Sequence, residues 1–233
     1  MTSAGLNIVV LLFPNLTQLD FTGPAQVFSR FPDAQVHLAW HTLDPVRTDA
    51  GWCIVPTTTL EACPQADVLF VPGGAGTFDL FEDEVALAFL RRQAARARWI
   101  TSVCTGSFGL AAAGLLSGYQ ATSHWASLPM LEEFGAVPVS RRVVRDRNRI
   151  TGAGVTSGID FAFVLAAELY GDEVARSIQL AIEYDPDPPF DHGSPAKAAP
   201  GVVAEITAAT RELRISTVRT GARRLGLAAH SQG

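Results

Sequence analysis

A chain of 233 residues that is 48% hydrophobic and 18% charged has the length and composition of one main globular unit with a sizeable core. Its formal net charge of −5 supplies no pull toward nucleic acid or an anionic membrane, so neither is expected as a partner. Met1 to Phe13 lacks a basic n-region and its apolar run is too short for export or membrane insertion, so a cytoplasmic location is expected. Cys53, Cys63 and Cys104 form no close pair, which argues against a disulfide framework or a zinc site.

Asn7 to Phe13 is a continuous apolar run ended by Pro14, as expected for a central strand buried on both faces. Asp20-Phe21-Thr22-Gly23-Pro24 then leads into a short helix from Ala25, which puts Asp20 just beyond the C-terminal end of the first strand. Val36 to Trp40 reads as a second strand, and Trp52 to Thr59 as a β segment with partial alternation. Val68 to Val71 is a short buried strand broken by Pro72-Gly73-Gly74-Ala75-Gly76, and Glu84 to Arg98 has amphipathic helical spacing.

Trp99 to Val103 reads as another buried strand, followed at once by Cys104 and a small-residue helix over Ser107–Leu116 that ends near Gly118. Such a sharp strand-to-helix turn pushes one side chain out of the sheet, beside unpaired N–H groups and a positive dipole end that favour a thiolate. Since the thiolate is the reactive form, Cys104 is the candidate nucleophile, whereas Cys53 and Cys63 read as packing residues. Ala121 to His124 is expected as a short strand, Trp125 to Phe134 as a helix, and Val143–Arg145 with Arg149–Thr151 as a hairpin. Gly158 to Tyr170 and Asp172 to Glu183 follow as helices.

The segment from Tyr184 to Pro195 has proline spacing that forbids helix and reads as a linker or arm. A last helical pattern runs from Gly201 to Leu227, with Arg211, Arg214, Arg219, Arg223 and Arg224 read as a solvated face. The alternation of strands and helices implies an α/β fold, a mostly parallel sheet with helices on both faces and a nucleophile elbow.

Ligands of such sheets bind outside the carboxyl ends of the strands, where Asp20, Gly73-Gly74 and Cys104 all map. A carboxyl beside a thiol can move protons, and backbone N–H groups of the glycine loop and the elbow can stabilise developing negative charge. The glycine run matches neither a phosphate loop nor a dinucleotide fingerprint, so no nucleotide cofactor is implied. The histidines at 37, 41, 124, 192 and 230 are scattered, and His124 alone could approach this edge; it stays outside the core mechanism.

Pro72-Gly73-Gly74 after its strand, the elbow Ser102 to Ser107, the run Ala111 to Leu116, and Ala121-Thr122-Ser123-His124-Trp125 resemble the DJ-1/PfpI superfamily over residues 6 to about 190. Leu11 to Pro14, Gln18 to Pro24, Leu180 with Glu183-Tyr184, and Pro188-Pro189-Phe190 are most similar to the isocyanide-hydrating members of that superfamily. The resemblance implies a flavodoxin-like, class I glutamine amidotransferase-like fold, with a DJ-1/PfpI-like domain over 1–195 and a C-terminal helical extension of the same domain over 196–233 that contributes to a dimer. It further implies a homodimer, a small-molecule isocyanide as substrate, and hydration to an N-substituted formamide with no metal or organic cofactor. Cys104 would be the nucleophile, Asp20 the proton shuttle, and the Thr105 hydroxyl with the Thr105 and Gly74 N–H groups would orient intermediates.

The departures narrow this further. PfpI-type proteases place a histidine directly after the nucleophile, where this chain has Thr105, which argues against peptide hydrolysis. Asp20 stands where DJ-1-like members carry a glutamate. Regulators of the AraC type share a similar domain but add two helix-turn-helix units, for which residues 196–233 are too few. A glyoxalase or deglycase-like enzyme, and a noncatalytic ligand- or oxidation-sensing protein, are the alternatives.

Overall fold

The computed structural model describes residues 5–227; the ends of the chain, His230 among them, lie outside the described residues. The apolar runs fold as expected. Val9, Val10 and Leu11 are fully buried in β1 (Leu6–Leu11), and Val68 to Val71 are fully buried in a strand beside it. A β-branched run without polar alternation can satisfy both conditions only in the middle of a sheet covered on both faces.

The main sheet has six further strands: β2 (Ala34–Trp40), β3 (Thr58–Thr59), β4 (Val68–Val71), β5 (Trp99–Val103), β6 (Val143–Asp146) and β7 (Arg149–Gly152). Their lateral order is β6-β7-β5-β4-β1-β2-β3. All neighbours are parallel except the hairpin β6–β7. From β1 the chain builds outward to β2 and then crosses back to β4 on the other side, which opens a crevice beyond the carboxyl ends of β1 and β4.

Helices α1 (Gln18–Phe28), α4 (Ser157–Tyr170) and α5 (Asp172–Ala181) form one layer. There Phe28 meets Phe70 edge-on at 5.6 Å between ring centroids, and Phe161 stacks on Phe70 at 5.5 Å. Helices α2 (Glu84–Ala94), α3 (Gly106–Ala112) and α6 (Pro200–Arg224) lie with two 3₁₀ segments, Ala75–Glu82 and Leu128–Phe134, in the other layer. Phe78, Phe81, Phe108 and Phe134 pack together there at 5.4–6.2 Å. Two aromatic clusters on opposite faces leave the sheet dry on both sides.

Several expected boundaries move. Helix α1 begins at Gln18 rather than Ala25, because its first turn is capped from elsewhere: the Gln18 N–H donates to Asp49 Oδ1 at 3.0 Å. Asp20 therefore stands within a first helical turn, and Pro24 is accommodated inside the helix. Helix α3 stops at Ala112 because Gly114 takes a left-handed conformation, φ 77°, and the Leu115 N–H closes onto Leu110 O at 2.9 Å. The expected helix over 125–134 is a 3₁₀ segment that starts at Leu128, and the strand expected over 121–124 shrinks to Gln120–Ala121, paired with Val137–Pro138 outside the main sheet. Trp52 to Thr59 splits into Cys53–Ile54, paired with Val46–Arg47, and β3.

Candidate active site

Cys104 leaves β5 with φ 56°, a left-handed conformation that costs a non-glycine residue about 1–2 kcal/mol. Its surroundings hold it there. The Cys104 N–H donates to Gly152 O at 3.1 Å, continuing the β7–β5 ladder past the end of the strand. The Cys104 carbonyl accepts from Ser107 Oγ at 3.1 Å and from Ser123 Oγ at 2.9 Å. Three partners over-determine the turn, so the strain persists in the folded state.

Gly73 makes the approach of the other elements possible. A Cβ at this position would lie 2.6 Å from Asp20 Oδ2, 2.6 Å from the Thr105 nitrogen and 2.9 Å from Cys104 Cβ, so no larger residue fits. Its N–H donates to Asp20 Oδ2 at 3.0 Å. The Asp20 carboxyl is fully buried beside the Cys104 thiol, and among the described residues its Oδ1 has no hydrogen-bond partner. Asp20, Gly73 and Cys104 thus meet as the sequence suggested.

Two expected roles are revised. The Gly74 N–H donates to Thr105 Oγ1 at 2.9 Å, and Thr105 Oγ1 donates to Gly74 O at 3.1 Å. Each group satisfies the other, so neither the Gly74 N–H nor the Thr105 hydroxyl is free to meet an intermediate; together they lock the glycine loop to the elbow. The Thr105 backbone N–H does act on the site, where it lowers the Cys104 thiol.

The electrostatics follow from burial. Desolvation pushes the Asp20 carboxyl up to about 7, against the opposing hydrogen bonds from Cys104 and Gly73. Desolvation, and then the neighbouring Asp20 charge, raise the Cys104 thiol well above its ordinary range, while the Thr105 N–H and the Arg214 guanidinium lower it. His124 is half-buried and its imidazole is held below its ordinary value, first by burial and then by Arg214. Among the described residues no histidine acts on the thiol.

Arg214 and Ser123 are the site residues that sequence reasoning missed. Arg214 is half-buried, donates from Nη1 to Ser127 Oγ at 2.6 Å and stacks its guanidinium 5.1 Å from the centre of the Phe78 ring. A signal was present: Arg214, Val218 and Ala222 share one helical face, and the latter two are fully buried. The neighbouring arginines of α6 are surface groups, with Arg219 on Glu133 at 2.8 Å and Arg224 on Glu82. Among the described residues no cluster of three or more His, Cys, Asp or Glu side chains is arranged to hold a metal ion.

Comparison with known proteins falls on the same elements. The isonitrile hydratase of Pseudomonas putida is 52% identical over 225 residues, 95% of this chain and 99% of that protein. A crystal structure of a THiJ/PfpI family protein from Pseudomonas syringae superposes with a TM-score of 0.90 at 45% identity, over 94% of this chain and 90% of that one. The HTH-type transcriptional regulator GbdR of Pseudomonas aeruginosa is 32% identical over 77% of this chain, which spans 51% of the regulator. The sequence model of the DJ-1/PfpI family matches residues 6–168, the stretch that carries β1, the glycine loop and the cysteine elbow, and the chain belongs to that family.

Proposed function

We propose that the protein hydrates isocyanides (isonitriles), R–N≡C, to N-substituted formamides. The observation that carries this reading is the near full-length similarity to the isonitrile hydratase of Pseudomonas putida. The buried pairing of Asp20 with Cys104, with no histidine among the described residues acting on the thiol, supports the mechanism.

Cys104 Sγ bonds to the terminal carbon of the isocyanide, and the thiol proton passes through Asp20 to that same carbon. The product is an S-linked thioimidate, R–N=CH–S. Asp20 Oδ1 next takes a proton from water as the water oxygen adds to the carbon. Collapse breaks the C–S bond, returns the sulfur as thiolate beside the Thr105 N–H, and delivers a proton to nitrogen, releasing R–NH–CHO. The strained elbow and the Gly73 contact hold sulfur and carboxyl in place through both halves of the reaction.

Residues 1–195 would form the catalytic domain, and the 196–233 extension would join a homodimer interface. In support, α6 exposes Val202, Ile206 and Leu213, and the arm before it exposes Phe190 at 80% of its surface. Among the described residues no helix is long and apolar enough to cross a membrane. A cytoplasmic location suits the free thiol that the reaction requires.

The test is turnover by purified protein of a small panel of alkyl and aryl isocyanides beside methylglyoxal. Formamide should accumulate over many turnovers from the isocyanides, faster than methylglyoxal is consumed. Preferential methylglyoxal consumption would instead assign the site to 2-oxoaldehyde chemistry.

A further inference from the structure

Arg214 comes from the last helix of the chain, about 110 residues beyond the cysteine, yet its guanidinium is half-buried on the inner side of α6. It is held from two directions. Ser127, itself fully buried, accepts its Nη1 hydrogen bond at 2.6 Å, and Phe78 lies beneath its plane at 5.1 Å. Both supports belong to the cysteine corner. Ser127 follows Ser123, whose Oγ holds the Cys104 carbonyl, and Phe78 follows Thr77, whose hydroxyl lies 3.4 Å from Thr105 Oγ1.

Among the described residues Arg214 forms no ion pair with a carboxylate, unlike Arg219 and Arg224 on the same helix. A half-buried guanidinium requires an anion nearby to offset its desolvation. The acids at this corner are the Cys104 thiol and the Asp20 carboxyl, two groups that cannot both ionise cheaply in a buried space. One cation acting on the thiol of two acids that share a proton gives a site with balanced charge.

We propose that Arg214 is a positioning residue that supplies this counter-charge, holding the Cys104–Asp20 pair at one net negative charge and favouring its residence on sulfur. Among the described residues the groups that act on Cys104 are Asp20 from α1, the Thr105 N–H at the start of α3, and Arg214 from α6. His124 is held below its ordinary value by burial and by Arg214, and Asp49 raises the Asp20 carboxyl. Arg214 is thus the cation of the set. The planar guanidinium can stack on Phe78 while bonding Ser127, a combination that a lysine ammonium reproduces only in charge.

The inference rests on the reading of Cys104 as the nucleophile, and its test uses a readout independent of turnover. The rate of Cys104 alkylation by the neutral reagent iodoacetamide is followed against pH by peptide mass mapping, which separates Cys104 from Cys53 and Cys63. Arg214→Met should alkylate roughly tenfold more slowly than wild type at about pH 7, with its profile displaced to higher pH, whereas Arg214→Lys should stay within about threefold of wild type. Both variants lose the planar stacking, so a difference between them reports charge alone. Equal rates in the two variants, whether both unchanged or both depressed, would overturn the proposal. If the charge effect appears while Cys104→Ala still makes formamide, the nucleophile reading fails and the charge assignment stands.

Discussion

Asp20 and Cys104 are two acids in one buried corner, and on the proposed mechanism their proton count sets both the activity and part of the stability of the protein. With Asp20 titrating at about 7 and the thiol well above its usual range, the pair carries two protons in acid and one in the neutral region. The one-proton form is the reactive one, so kcat/KM should rise as pH rises through about 7 and fall again at alkaline pH. Asp20→Asn should lose the rising limb and at least roughly 100-fold in rate. Stability moves in the opposite direction. The folded state binds the Asp20 proton more tightly than the unfolded chain, whose aspartate titrates near about 4, so this contribution is present below that value and is lost as pH rises to about 7. In urea denaturation, the stability of Asp20→Asn relative to wild type should therefore grow across that window, by on the order of 1–4 kcal/mol. A gap that stays constant with pH would contradict the buried, raised carboxyl. A carboxylate kept in a dry site at a cost in stability is the usual trade between function and folding.

Elements whose signals are local were legible in the sequence, and those defined by distant partners were not. Continuous β-branched runs located β1, β4 and β5, and the turn Asp146-Arg147-Asn148 located the hairpin β6–β7. The lengths of α4, α5 and α6 followed from helical periodicity. Helix α1 was read as starting too late because its cap is Asp49, which reaches Gln18 from a separate loop. The 3₁₀ segments were missed because a tight i→i+3 helix leaves no long amphipathic period. The convergence of Asp20, Gly73 and Cys104 could be read from the rule for open parallel sheets, since each follows or lies near a strand end. Arg214 escaped because a charge among other charges looks solvated until the fold shows which face of α6 is covered. The Gly74 and Thr105 roles were misjudged for a related reason: whether an N–H is free depends on a hydrogen bond across 31 positions of sequence.

At the scale of the whole molecule, α6 packs on the two 3₁₀ segments and, with the proline-rich arm that precedes it, leaves Phe190, Val202, Ile206 and Leu213 exposed. A homodimer that buries them should sediment at twice the 24.8 kDa chain mass at micromolar concentration, and a purely monomeric boundary would contradict that assembly. Elbow, carboxyl and counter-charge then come from three well-separated parts of one chain, Cys104 after β5, Asp20 in α1 and Arg214 in α6, brought together by the fold. The claim on which all of this depends is that Cys104 bonds covalently to the isocyanide carbon. Intact and peptide mass spectrometry of protein quenched during turnover should find an adduct of the full isocyanide mass on Cys104, absent from Cys104→Ala, which should form no formamide. Formamide production by Cys104→Ala at the wild-type rate, with no adduct on the native chain, would contradict it.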